Sequence, residues 1–123
     1  MTILRGLPEA ADNWEVQVRK GSLELAILAA LWSGELYGLE ILHRLAESCA
    51  LTVPEGTIYP LLSRLKAEGL VSSEWVEADT GHPRKYYKLT ASGRRRGAQM
   101  AKFWTTFSAN LEGLLEPLRK EGR

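Results

Sequence analysis

Two short segments in the middle of the chain concentrate side chains that can bind an anion or match a pattern of donors and acceptors. The first holds Thr57, Tyr59, Ser63, Arg64 and Lys66. Ile58, Leu61, Leu62 and Leu65 alternate with them at helical spacing, so a helix that buries the apolar set leaves the polar set on exposed and flanking faces. Hydroxyls and cations are the groups that bond phosphate oxygens and base edges. Thr57 and Tyr59 fall near the start of that helix, where the macrodipole favours negative charge. The second segment holds His82, Arg84, Lys85 and Lys88 beside Gly81. Glycine lets a backbone come close to a ligand, and cations gain from the potential of a narrow groove. A charged edge strand that merely resists aggregation would carry the same residues, so both readings stand. Arg94-Arg95-Arg96 adds a third basic run, which opposes the macrodipole if it opens a helix. A phosphate, a partner carboxylate or plain solvation could offset it.

Other chemistries find little support. There is no glycine-rich phosphate loop and no nucleophile elbow. The chain has two histidines and one cysteine. His82 and His43 with Cys49 do not make a metal set, and a lone thiol forms no intrachain disulfide. Cys49 reads as a half-buried apolar residue. We expect no cofactor, no metal and no enzymatic activity. The N-terminal stretch lacks the pattern of a secretory signal, no apolar run has membrane-spanning length, and a reducing cytoplasm suits the single thiol. Hydrophobic residues make up 45% of the chain, ordinary for a globular domain. Net charge is only +1, but residues 55–96 carry +3 against −3 for residues 1–54. The positive charge therefore coincides with the two candidate segments.

The elements that would hold these residues can be read from periodicity. Leu7, Ala11, Trp14 and Val18 share one face of an N-terminal helix, with Pro8 in its first turn. Ser22 is placed to cap a second helix bearing Leu23, Ile27, Leu28 and Leu31, which Ser33-Gly34 breaks. A third helix is expected from about Gly38 to Cys49, and Leu51-Thr52-Val53 is β-prone. Pro60 is tolerated in a first turn, so the next helix should begin near Gly56 or Thr57, with Gly69 beyond its end. Val71–Glu77 and Arg84–Thr90 then read as two strands joined by a polar loop. Tyr87 and Leu89 share one face; Arg84, Tyr86 and Lys88 share the other. Thr90 caps a long final helix. The fold class expected is mainly α with a small β-hairpin, a winged helix-turn-helix with an added helix at each end.

The ordered motifs Lys20-Gly21-Ser22-Leu23-Glu24-Leu25, Tyr37-Gly38, Gly56-Thr57-Ile58-Tyr59-Pro60-Leu61-Leu62, Arg64-Leu65, Glu68-Gly69-Leu70-Val71, Gly81-His82-Pro83-Arg84-Lys85-Tyr86-Tyr87 and Leu89-Thr90-Ala91-Ser92-Gly93 carry a resemblance. Over about residues 20–96 the chain resembles the PadR-like family of bacterial transcriptional regulators. The extra N-terminal helix and short C-terminal helix look like its small-dimer branch. The resemblance implies a winged helix, DNA binding, dimerisation through the terminal helix, and repression often relieved by a small molecule. One departure is visible. The family usually has an aromatic residue after the glycine at Gly38; here Leu39 stands there and Tyr37 precedes it. Tyr37 joins the DNA-facing candidates as the aromatic beside that glycine.

On this reading residues 1–19 form an N-terminal extension, 20–90 the DNA-binding domain and 91–123 the dimerisation helix. Met100, Trp104, Phe107, Leu111, Leu114 and Leu118 step by four and three in turn, a heptad seam that one small domain cannot cover. Phe103 and Leu115 widen it, and Trp14 and Val18 are placed to pack across the same junction of a homodimer. Two-fold symmetry would present two reader helices to a pseudo-palindromic duplex. Met100, Phe103, Trp104 and Phe107 either line an apolar effector pocket or serve as dimer core alone. The competing reading is a winged helix that binds protein rather than DNA.

Overall fold

Two long helices open and close the chain, and a compact unit of two shorter helices and a small sheet lies between them. The computed structural model describes residues 3–121, with side chains from residue 13 onward. The order is α1 (Ile3–Ala30), β1 (Leu36–Tyr37), α2 (Gly38–Cys49), α3 (Glu55–Ala67), β2 (Val71–Glu77), β3 (Pro83–Leu89) and α4 (Ala91–Glu121). The strands form one antiparallel sheet in the order β1-β3-β2. Helices followed by this hairpin make a winged helix, as periodicity predicts. The side chains of Leu7 and Ala11 lie outside the described residues.

The core forms where the apolar ridges meet. Ile27 and Leu28 of α1, Leu31 just past its end, Ile41 and Leu45 of α2, and Ile58, Leu62 and Leu65 of α3 are buried together with Val71, Tyr87 and Leu89 of the sheet. Tyr87 and Leu89 face this core while Arg84 and Lys88 of the alternate face are exposed, the period-2 split the sequence predicts.

Three local features differ from the sequence reading. First, no break occurs at Ser22: α1 is one 28-residue helix. The Ser22 hydroxyl donates to the Val18 carbonyl at 2.9 Å, so it bonds back along the helix rather than capping a new one. Burial of Leu23 and Ile27 just beyond it offsets the weak helical preference of Gly21. Second, Leu51-Thr52-Val53 forms no strand. Ala50 turns the chain in the left-handed region at φ 55°, and Leu51 drops into the core, away from the sheet. The strand that does form, Leu36–Tyr37, is too short to show alternation in the sequence. Third, α3 starts at Glu55, ahead of the Gly56 or Thr57 start expected from Pro60. The Thr57 and Ile58 amides both donate to the Pro54 carbonyl, at 2.9 and 3.1 Å, which nucleates the turn ahead of Gly56. Pro60 thus sits in the second turn, and the carbonyl it leaves without a partner belongs to Gly56. Pro117 in α4 stands in the same relation to Gly113. Both glycines are exposed, so the freed carbonyls can tilt into water.

The entry to α4 is fixed by a tight knot. The Thr90 hydroxyl accepts the Gly93 amide at 3.0 Å and donates to the Gly69 carbonyl at 2.6 Å. The Thr90 amide donates to the Leu70 carbonyl at 3.1 Å. This is the cap expected at Thr90, and it ties the end of α3 to the start of α4. The basic run that follows is compensated within the chain. Arg94 donates to the Trp32 carbonyl at 3.2 Å, just past the C-terminus of α1, and lies 4.8 Å from the Trp32 ring centroid. Arg96 stands 3.8 Å from Glu24.

A Cβ at Gly93 would collide with the Leu70 carbonyl oxygen, a backbone atom of that knot. Gly93→Ala is therefore expected to destabilise the fold by about 2–3 kcal/mol. Urea unfolding at fixed protein concentration measures it; an unchanged midpoint would show that the knot yields freely.

Candidate nucleic-acid interface

Helix α3 buries Ile58, Leu62 and Leu65, which fixes the direction of every other side chain on it. The face turned farthest from the core carries Gly56, Pro60, Ser63 and Ala67, at i, i+4, i+7 and i+11. All four are exposed and small. Thr57 and Arg64 lie on one flank of this low ridge, Tyr59 and Lys66 on the other. A helix shaped in this way can sit deep in a groove while longer side chains reach both walls.

The flanks are not equivalent. Tyr59 packs its ring against Gly38, where a Cβ would collide with the ring and hydroxyl. Partial burial, then the charge of Glu55, raises its pKa above the ordinary tyrosine value, so the hydroxyl remains a donor across the usual pH range. Arg64 is taken up inside the chain: its Nη1 donates to Glu68 at 2.8 Å and its Nη2 to Glu24 of α1 at 3.1 Å. The hydrogen bond to Glu24, then that to Glu68, raises its pKa further. Thr57 borders an apolar groove beside α1, together with Arg19 and Lys20. Those two cations join the flank although more than thirty residues separate them from Thr57; no local sequence signal places them there.

The hairpin divides its cations between two faces. β1 pairs with β3 so that Tyr37 stands opposite Tyr86. Their rings meet edge to face at 5.5 Å, and the Arg84 guanidinium lies 4.6 Å from the Tyr37 ring centroid. Tyr37 also starts α2, its amide donating to Glu40 at 3.0 Å. Lys85 points to the opposite face, with Nζ 5.7 Å from the Trp75 ring and 5.9 Å from Tyr87. Arg84 and Lys85, adjacent in sequence, are therefore not brought together. His82 lies exposed in the loop next to Gly81, whose φ is 84°. Trp75 is 67% exposed and was not among the sequence candidates, although its alternation with Ser73 and Val71 puts it on the Tyr87 face.

A second surface runs along α4. Phe103, Trp104, Phe107, Leu111, Leu114 and Leu118 are exposed, Leu114 at 76%, and Trp14 and Val18 of α1 are exposed as well. Met100 alone of the seam packs on the core. Phe103 and Phe107 stack at 5.6 Å, and with Met100 and Trp104 they line an open groove against Ser22 and Leu25 of α1. The structure thus brings together the four residues expected to meet an effector. Cys49 is exposed, not half-buried, its thiol donating to the Leu45 carbonyl at 3.3 Å. Among the described residues no three His, Cys, Asp or Glu side chains gather as a metal set, and no helix is long and apolar enough to cross a membrane.

Because the three atoms nearest to a Cβ at Gly38 would all belong to the Tyr59 side chain, a double-mutant cycle isolates the contact. Gly38→Ala is expected to cost more in the wild type than in a Tyr59→Ala background, with a coupling of about 0.5–3 kcal/mol. Equal costs in both backgrounds would mean the ring is not seated on Gly38.

Comparison with known proteins matches residues 27–99 to the sequence pattern of the "Transcriptional regulator PadR-like family". The chain is 41% identical to a PadR-like transcription factor from Bacteroides fragilis, over 83% of this chain and 98% of that one, with a TM-score of 0.69. A padR family transcriptional regulator from Eggerthella lenta matches at 28% identity over 91% of this chain and 97% of that one, with a TM-score of 0.82. Transcriptional regulator Rv3488 of Mycobacterium tuberculosis is 33% identical over 78 residues, 63% of this chain and 71% of its own.

Proposed function

Because this chain belongs to the transcriptional regulator PadR-like family, we propose that it binds double-stranded DNA as a two-fold symmetric homodimer. The chain is a transcriptional regulator and not an enzyme, as its relatives are. The observation that carries the DNA reading is the shape of α3: a low ridge of Gly56, Pro60, Ser63 and Ala67 with donors on both flanks. Backbone and small side chains would approach the base edges, while Thr57 with Lys20 on one side and Tyr59 with Lys66 on the other would reach the phosphates. Ser63, central on the ridge, is the side chain best placed for a base edge. The hairpin would act as the wing, with His82 and Arg84 toward one groove wall and Lys85 beside Trp75 on the other face. Tyr37 would act through Arg84, whose guanidinium it holds. Arg64 enters this reading as a phosphate ligand only when it leaves Glu24.

The dimer follows from the exposed seam on α4. Met100, Trp104, Phe107, Leu111, Leu114 and Leu118 would zip against a second copy, with Trp14 and Val18 of residues 1–19 covering the flank. An apolar stripe of this length in water is what a partner surface looks like. Two reader helices would then face successive major grooves of a pseudo-palindromic duplex about 34 Å apart. Repression relieved by a small apolar or aromatic effector is the finer part of the reading. The groove of Met100, Phe103, Trp104 and Phe107 supports it.

Each part has its own expected outcome. For duplexes selected from genomic fragments, the logarithm of the binding constant should fall linearly with the logarithm of salt concentration, and Lys66→Ala should lower that slope by about one. Salt-independent or absent binding would favour the protein-interaction reading. Leu111→Asp should sediment as a monomer where the wild type is dimeric, since a carboxylate buried in the seam has no partner; a dimeric variant would remove the seam. Planar phenolic compounds should quench tryptophan fluorescence in the wild type and not in Trp104→Ala; no response at saturating ligand would leave these residues as dimer core.

A further inference from the structure

Glu24 occupies a place that neither the DNA reading nor the dimer reading uses. It lies on α1, its side chain is only 19% exposed, and two arginines from different elements converge on it. Arg64 of the reader helix reaches its Oε1 at 3.1 Å, and Arg96 of α4 stands 3.8 Å from its Oε2. Arg64 is held on the other side by Glu68, one turn along α3, at 2.8 Å. The reader helix and the dimerisation helix therefore share a single carboxylate.

We infer that Glu24 is a positioning residue that holds Arg64 off the DNA, and that Arg96 sets how firmly it does so. This inference rests on the DNA reading of α3. Arg64 stems from the flank of the exposed ridge, beside Ser63, yet its guanidinium is turned back toward α1. Arg64 is a long, flexible side chain, half exposed on the flank of α3, and exchanges partners at little cost, because an ion pair open to solvent adds little net stability. A phosphate at the same flank offers a bidentate acceptor in place of the carboxylate. Glu24 competes with that phosphate for Arg64. Arg96 competes with Arg64 for Glu24. A shift of α4 that withdraws Arg96 leaves Glu24 to Arg64 alone and takes a cation from the interface. A shift that brings Arg96 closer releases it. The two contacts thus give the dimerisation helix a route to the reader helix that does not pass through the apolar core.

The test compares full-length wild type, Glu24→Gln, Arg96→Gln and the same changes in an Arg64→Ala background, on a labelled duplex selected with the wild-type chain. Glu24→Gln should bind about two- to fivefold tighter at low salt, with a salt slope steeper by about one phosphate contact. Arg96→Gln should bind more weakly. Both effects should vanish in the Arg64→Ala background. Urea midpoints accompany every variant, because a purely structural role for Glu24 lowers the midpoint and the affinity together and leaves the slope unchanged. That outcome overturns the inference. So does an effect that persists without Arg64, which would mean that Glu24 acts by its charge alone or that Arg96 meets phosphate itself. If Glu24→Gln fails to fold, Arg96→Gln with and without Arg64 decides. A wild type that retains no duplex overturns the DNA reading and the inference with it; a wild type that binds while the variants match it overturns the inference alone.

Discussion

An apolar ridge along a 31-residue helix must be covered, and the chain's own core ends too early to cover it. Met100 is the last seam residue that packs on that core. Beyond it Trp104, Phe107, Leu111, Leu114 and Leu118 stand in water. Burying one such side chain is worth roughly 1.5–3 kcal/mol, so five in register outweigh the ordering of a helix that is already formed. The rest of the account depends on this: a second copy on α4 would turn the proposed reader helix into a pair and set their separation.

Such an arrangement works only if the start of α4 is anchored to the body that carries α3. The joint is short and polar. Thr90 bonds Gly69 and Gly93 at once, and the absence of a side chain at Gly93 lets α4 start against the Leu70 backbone. Arg94 then caps the C-terminal end of α1 while lying on Trp32. Cations at a helix start would be unfavourable alone; here the carbonyl end of a neighbouring helix and a carboxylate on it answer them. The basic run thus braces α1 against α4 through two of its three arginines, Arg94 and Arg96.

Much of this was legible in the sequence because it rests on periodic burial. The inward faces of α3 and β3 and the exposed apolar stripe of α4 follow from spacing, and the cap at Thr90 and the glycine after α3 from residue type. Features set by distant contacts were not legible. Nothing near Arg64 announces that Glu24, forty residues away, takes its guanidinium. Nothing near Thr57 announces Lys20. Ser22 looked like a cap because its type suits one, and the structure instead uses its hydroxyl within α1. Pro60 looked like a first-turn residue because prolines usually are; it is tolerated one turn later because the Gly56 carbonyl it displaces is exposed and can tilt into water. The wing showed the reverse case, in which adjacent basic residues suggest one patch and strand alternation sends Arg84 and Lys85 to opposite faces.

The central claim is a pair of reader helices held one helical turn apart by a shared α4 seam. Hydroxyl-radical footprinting of a selected genomic duplex tests it most directly. The account predicts two protected half-sites on one side of the duplex, with inverted sequence and centres about 10 base pairs apart. A single asymmetric footprint, or half-sites on opposite sides of the duplex, would contradict it.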